Sequence, residues 1–110
     1  MTLGSDVTVK YVSGSQKMFL SDSDLAVESP YNTYLHTGLP VGPICSPSMD
    51  AVVAALYPDE QYVAQNYLYF CSTDPNSGEL HFSRTLEEHN AAVAMYRPLW
   101  QEYDRSRGLE

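Results

Sequence analysis

The chain has 110 residues, of which 44% are hydrophobic and 18% are charged, and its formal net charge is −8 at pH 7. This length predicts one soluble domain with a modest core, and no apolar run approaches the roughly 20 residues that cross a bilayer. We therefore expect neither a membrane segment nor a signal peptide in it. Because six scattered basic residues stand against fourteen acidic ones, nucleic acid and anionic membrane surfaces are poor candidates as partners.

Residues 1–28 form an N-terminal segment without a single clear pattern. The alternation of Val7, Val9 and Tyr11 is typical of a strand, whereas Ser5 and Asp6 suit the start of a helix, so both readings stay open. A serine-rich loop follows. Good capping residues then predict a short turn or helix between Ser21 and Leu25.

Residues 29–47 are predicted to form a long, stiff loop. They contain four of the seven prolines and two of the six glycines, together with several apolar and aromatic side chains. A loop of this length and character is usually functional or packed as a compact surface loop. Gly38 can adopt a positive φ, which predicts a turn before the rigid Pro40. Tyr31, Asn32, Thr33 and Tyr34 offer ring faces, an amide and hydroxyls, which suit a carbohydrate or peptide groove.

A helix is predicted at residues 47–57. Ser46 and Pro47 suit its N-cap and first position, and Pro58 ends it. Met49, Val52, Val53 and Leu56 recur at the spacing of one buried helix face. Residues 59–65 then form a polar connection.

Residues 66–83 predict an antiparallel β-hairpin. Residues 66–72 are aromatic and apolar enough for a largely buried strand, the turn signals fall at 73–78, and residues 80–83 return. Thr85 and Glu88 have the spacing of a capping box, which predicts a helix over residues 86–104 that is kinked or ended by Pro98. The order of elements predicts a small α+β domain with one hairpin, two main helices and the long loop.

The residue patterns give little support to metal or cofactor chemistry. Cys45 and Cys71 are too few for a zinc site, and both a disulfide between them and two free thiols remain open. His81 and His89 are interpreted as structural or hydrogen-bonding residues, since no further ligand is evident. The chain has no nucleophile elbow and no phosphate-binding glycine loop. We predict no metal and no cofactor.

The carboxylates are better candidates for catalysis than the histidines and cysteines. Glycosidic bonds are cleaved by an acid in a groove lined with aromatic and amide groups, and Asp6 and Glu28 both lie beside candidate loop structure. A helix-capping role for Asp6 and a solvated position for Glu28 are nevertheless favoured over catalysis.

Six sequence blocks resemble the YceG-like family, the endolytic murein transglycosylases. The blocks are Ser29-Pro-Tyr-Asn-Thr-Tyr34, Gly38-Leu-Pro40, Gly42-Pro-Ile-Cys-Ser-Pro47, Tyr67-Leu-Tyr-Phe70, His81-Phe-Ser83 and Thr85-Leu-Glu-Glu-His-Asn90. Upstream, Ser5-Asp6-Val7-Thr8-Val9 is similar to the family's Ser-Asp-Pro-Thr-Val, with Val7 in place of proline. The resemblance extends from about Met1 to Tyr96.

The resemblance implies a bacterial enzyme that cuts peptidoglycan glycan strands and leaves 1,6-anhydro-N-acetylmuramoyl ends. It implies a position at the extracytoplasmic face of the cytoplasmic membrane, alongside cell-wall synthesis proteins. Residues 29–47 would then line the substrate groove. The residues expected to bind substrate are Asp6, Thr8, Tyr31, Asn32, Thr33, Tyr34, Gly38 and Pro40.

The resemblance also implies that no catalytic residue lies in this chain. The family's catalytic glutamate belongs to a helix N-terminal to the Ser5-Asp6 block, and neither Asp6 nor Glu28 matches it. Two hypotheses follow. The chain is part of a transglycosylase catalytic domain, or it is a non-catalytic module that binds glycan or acts as a scaffold. The sequence does not predict the oligomeric state.

Overall fold

The computed structural model describes residues 1–109, and five helices and two strands lie in that range. In chain order they are α1 (Asp6–Ser13), α2 (Asp22–Leu25), α3 (Met49–Leu56), α4 (Glu60–Ala64), β1 (Tyr69–Ser72), β2 (Leu80–Ser83) and α5 (Leu86–Ser106). These helices and the two-stranded antiparallel sheet confirm the predicted α+β class. Among residues 1–109, no helix combines the length and apolar character needed to cross a membrane.

The described residues divide into two units, which we treat separately. Unit 1 comprises Met1–Ser46 with Leu109, and unit 2 comprises Pro47–Gly108. Unit 1 therefore holds α1, α2 and most of the long loop, whereas unit 2 holds the hairpin and the other three helices.

The first segment of unit 1 is a helix, which settles the ambiguity between strand and helix. Ser5 precedes α1 in an extended conformation, and Gly14 ends the helix at φ 73°. The Gly14 N–H donates to the Lys10 carbonyl at 2.8 Å. Only Thr8 and Val9 of this helix are buried. Ser21 caps α2 with its hydroxyl, and Asp24 accepts a hydrogen bond from the Ser21 N–H in return.

Helix α3 forms at the predicted place but does not bury the predicted face. All of its residues are exposed, including Val52 and Val53, so the prediction of a buried face is wrong. Among the described elements none packs against α3. The spacing of apolar residues makes a helix amphipathic, but it does not supply a partner. The N-cap is Ser48, whose hydroxyl accepts from the Ala51 N–H, and not Ser46.

Unit 2 is built on packing of the hairpin against α5. Across the two strands, Tyr69 pairs with Ser83 and Cys71 pairs with His81. The Tyr69 ring stacks on that of His89 in α5, with the ring centroids 5.3 Å apart. The buried Trp100 donates its indole N–H to the Thr73 carbonyl at 3.1 Å. Phe70 and Phe82 point to the other face and are exposed. The prediction of a largely buried strand is wrong, because only Cys71 of the four β1 residues is buried.

Two further details concern the predicted helices. α5 continues through Pro98 to Ser106, so Pro98 does not end the helix, which was one of the two predicted alternatives, although proline removes one backbone donor. The predicted polar connection contains α4, where the Asp59 carboxylate accepts from the N–H groups of Gln61 and Tyr62 at 2.9 and 3.3 Å. Local capping thus forms a short helix that the polar composition did not indicate.

Candidate functional site

Thr33 connects the long loop to the start of α1. Its carbonyl accepts from the Gly4 N–H at 3.0 Å, and its hydroxyl accepts from the Ser5 N–H at 2.9 Å. The hydroxyl oxygens of Thr33 and Thr8 lie 2.9 Å apart, and Thr8 donates to the Ser5 carbonyl at 2.8 Å. Both threonines are buried. Each of these hydroxyls therefore takes part in the fold of unit 1.

The buried side chain of Asn32 hydrogen-bonds the backbone on both sides of the start of the loop. Its side-chain N–H₂ group donates to the carbonyls of Leu25 and Val27 at 2.9 and 2.7 Å, and its Oδ1 accepts from the Tyr34 N–H at 2.9 Å. The side chain is 1% exposed. A buried amide that satisfies three backbone groups holds the neighbouring chain segments in one arrangement, because each bond is directional.

Tyr34 and Asp6 form a direct pair. The Tyr34 hydroxyl donates to Asp6 Oδ1, and burial together with the neighbouring carboxylate raises the pKa of Tyr34 well above its usual range. The Tyr34 ring also packs on Gly4, where an added Cβ would lie 3.3 Å from the ring carbon Cε1. Gly4 has φ +54°, so both its backbone conformation and this contact favour glycine.

Tyr31 is half-buried between α1 and the returning loop. Its ring lies 4.9 Å from that of Tyr11, measured between centroids, with 53° between the planes. A Cβ added to Gly42 would lie 3.1 Å from the Tyr31 hydroxyl. The loop therefore passes close to this ring because residue 42 has no side chain.

The loop tip lies between Tyr34 and Gly42, which both contact other parts of unit 1. Gly38 adopts φ +84°, as the sequence predicts, the neighbouring Leu39 is exposed and Pro40 is half-buried. Glu28, one of the two candidate acids, is exposed, and its Oε1 lies 2.9 Å from His36 Nε2. The described contacts do not bring the loop tip against the Asp6 and Tyr34 pair.

The eight predicted substrate-binding residues thus fall into different environments. Thr8, Asn32 and Thr33 are buried and bonded internally, whereas Asp6, Tyr31, Tyr34 and Pro40 are half-buried and Gly38 is exposed. Contact of any of them with substrate stays a prediction. Sequence reasoning missed Gly4, Gly42 and Tyr11, whose roles depend on contacts between distant parts of the chain that no local pattern marks.

Metal and disulfide chemistry find no support in the described residues. No group of three or more histidine, cysteine, aspartate or glutamate side chains between residues 1 and 109 is arranged to hold a metal ion. Cys45 and Cys71 are both free thiols, the first exposed and the second buried. What the site offers chemically is a preformed loop that presents phenol rings and one carboxylate.

Comparison with known proteins gives a consistent set of similarities. The model of the YceG-like family matches residues 1–95. A Bacillus subtilis (strain 168) protein named "Endolytic murein transglycosylase" is 44% identical over 96 residues, covering 87% of this chain and 25% of that protein. A protein of the same name from Streptococcus pneumoniae (strain D39) is 33% identical over 99 residues, covering 86% of this chain and 17% of that protein.

A solved structure is similar as well. The 2.6 Å crystal structure of a yceG-like protein from Listeria monocytogenes superposes with a TM-score of 0.69 at 45% sequence identity. The match covers 83% of this chain and 28% of the Listeria chain. The matches therefore cover only 17% to 28% of the length of these proteins.

Proposed function

Because this chain belongs to the YceG-like family, as its sequence blocks predict, we propose that it is part of an endolytic murein transglycosylase that cleaves peptidoglycan glycan strands. The observation that carries the proposal is the match of residues 1–95 to the family, with relatives of that name at 44% and 33% identity. The proposal concerns the whole protein, since the match covers only 25% and 17% of those relatives.

In the proposed reaction an acid protonates the glycosidic oxygen, which leaves as the bond from it to C1 breaks. The 6-hydroxyl of the same muramoyl sugar bonds to C1 in place of water, its proton goes to the carboxylate that the acid has become, and a 1,6-anhydro end results. We assign the acid to a glutamate N-terminal to the Ser5-Asp6 block. Two contacts support leaving Asp6 and Glu28 out of that role. Asp6 accepts a hydrogen bond from Tyr34, and the exposed Glu28 lies beside His36.

The long loop would serve as one wall of the groove. Thr8, Asn32 and Thr33 are proposed to hold the wall, because their polar atoms are engaged inside unit 1. Asp6, Tyr31 and Tyr34 are proposed to face the glycan, and Gly38 and Pro40 to shape the tip. Holding such groups before substrate arrives lowers the entropy cost of reaching the reactive geometry.

The family resemblance also supports a location and a set of partners. We propose that the whole protein acts at the extracytoplasmic face of the bacterial cytoplasmic membrane, where its substrate lies, alongside cell-wall synthesis proteins.

The test uses the complete product of the gene and the 110-residue chain side by side. Purified glycan strands are incubated with each, and the new ends are identified by mass spectrometry. We expect the complete product to generate 1,6-anhydro ends within strands and the chain to bind strands without cutting them. In the complete product, Tyr31→Ala should lower kcat/KM, whereas Tyr57→Ala, which changes an exposed ring on unit 2, should not.

Three results would contradict the proposal in different ways. Reducing ends in place of anhydro ends would indicate hydrolysis. Binding without cleavage by the complete product would favour the non-catalytic module. Cleavage by the 110-residue chain that Asp6→Asn abolishes would overturn the assignment of the acid.

A further inference from the structure

An aromatic groove lies in unit 2 on the face of the hairpin that α5 leaves open. Its volume is about 380 Å³, which falls in the range of about 300–1,000 Å³ typical of ligand sites. Its walls include Asp59 and Tyr62 of the α4 segment together with Tyr67, Leu68, Phe70 and Phe82 of the hairpin. A two-stranded sheet has two faces, and α5 packs on one of them.

The rings of this groove are close together and tilted. Tyr62 lies 4.9 Å from Phe82 between centroids, and Tyr67 lies 5.7 Å from both of them. Phe70 lies 6.4 Å from Phe82 and is 61% exposed. Tyr62 is also exposed. Tilted, part-exposed rings present several π faces to one bound molecule.

Contacts within unit 2 hold both edges of the groove. The Arg84 guanidinium lies 5.3 Å from the centre of the Tyr67 ring, and its Nε donates to the Gln65 carbonyl at 2.8 Å. Asp59 caps α4 and so sets the position of Tyr62. A preformed site loses less conformational entropy on binding than one that must be ordered by its ligand.

Charge narrows the choice of ligand. Asp59 is the one charged side chain among the described residues that line the groove, and the Arg84 guanidinium lies on the Tyr67 ring at the edge of the groove. These two charges offset each other in part, but the chain as a whole carries −8. An anionic ligand is disfavoured by this carboxylate and by the net charge. A second copy of the chain would bring another −8 against it. A neutral ligand with an apolar face and polar edges fits both the rings and the charge.

We propose that this groove is a glycan subsite that binds a neutral N-acetylhexosamine unit of the peptidoglycan strand. The axial C–H bonds of a pyranose ring carry partial positive charge and would stack on the negative π faces of Phe70 and Tyr62. The Tyr62 and Tyr67 hydroxyls and the Asp59 carboxylate would hydrogen-bond the sugar hydroxyls. This inference rests on the proposed function, because it assumes that the substrate is a glycan.

The experiment maps binding on the 110-residue chain labelled with ¹⁵N. The probe is the N-acetylglucosamine tetramer, titrated while the amide resonances are followed by NMR. We expect shifts at residues 62, 67–70 and 82, with a Kd on the order of 1 mM for a single exposed subsite. Shifts at residues 31–34 would report the loop independently.

The decisive variant is Phe70→Leu, which keeps an apolar side chain but removes the π face. We expect it to raise the Kd about fivefold, since an aromatic contact contributes beyond the area that it buries. The matched control is Tyr57→Leu, because Tyr57 is 78% exposed and lies outside the groove lining. That control should leave the Kd unchanged.

The outcomes distinguish failure of the groove subsite from failure of the proposed function. Shifts confined to residues 1–46 would overturn the subsite and leave the proposed function standing. Groove shifts without loop shifts would support the subsite and count against the substrate-facing role of the loop. Equal Kd values for the wild-type chain and Phe70→Leu, or groove resonances that move on dilution because copies associate there, would overturn the proposal. No shifts at either place would count against both.

Discussion

The two units are held by different kinds of interaction. Unit 1 buries polar side chains, and Thr8, Asn32 and Thr33 each bond to backbone or to one another inside it. Unit 2 relies on ring and indole packing between the hairpin and α5, with Trp100 as its large buried side chain. Directional hydrogen bonds hold the loop in one shape, whereas aromatic packing holds two elements together and leaves the outer hairpin face open.

The largest expected effect is in unit 2. Trp100→Ala should lower the free energy of unfolding by about 3–5 kcal/mol, because it removes a large buried side chain and its bond to the Thr73 carbonyl. Urea unfolding followed by far-UV circular dichroism measures the loss. Leu99→Ala changes an exposed neighbour and should cost less than about 1 kcal/mol. Similar losses for the two variants would show that packing by Trp100 does not hold this unit.

The next effect tests the polar frame of unit 1. Asn32→Ala should cost about 2–4 kcal/mol, because it leaves the Leu25 and Val27 carbonyls and the Tyr34 N–H without their partner. Urea unfolding gives the total loss, and hydrogen exchange at the Tyr34 amide locates it. Asn90→Ala on the exposed surface of α5 is the control and should change stability by less than about 0.5 kcal/mol. A loss no larger than that of the control would break the contrast between the units.

The smallest effect compares one thiol from each unit. Cys45 is exposed, whereas Cys71 is buried, and burial raises the pKa of the Cys71 thiol. Since the thiolate is the reactive form, iodoacetamide should label Cys71 at least about tenfold more slowly than Cys45 at pH 8. Peptide mass spectrometry gives the two rates, and the difference should vanish in concentrated urea. Equal rates in the folded chain would contradict the burial of Cys71.

Local signals predicted several features well. Thr85 caps α5 as expected, with its hydroxyl 3.1 Å from the Glu88 N–H, although the Glu88 carboxylate accepts from the Arg84 N–H and not from that of Thr85. The Asp74 carboxylate closes the hairpin turn by accepting from the Asn76 N–H at 2.9 Å. Such contacts span two to four residues, so the sequence contains all the information they need.

Prediction failed where a distant partner decides the outcome. The spacing of Val52 and Val53 indicated an amphipathic helix correctly but not that its apolar side would be exposed. Substrate contact by Asn32 and Thr33 stays a prediction, but no local pattern indicated that their polar atoms bond to residues 5 to 28 positions earlier in the chain and to the nearby Tyr34 N–H. Side-chain chemistry alone does not distinguish a buried hydrogen-bonded residue from an exposed one.

The sequence by itself determined the family, the α+β class, the caps of α2 and α5, the hairpin turn and the position of the long loop, because these depend on residue types and on short separations. Tertiary structure alone decided that Thr33 joins the loop to α1, that Tyr34 pairs with Asp6, and that one hairpin face stays open as an aromatic groove. The physical reason is that burial depends on what packs against a side chain. The same hydroxyl, amide or ring stabilises the fold when it is buried and can contact a ligand when it is exposed.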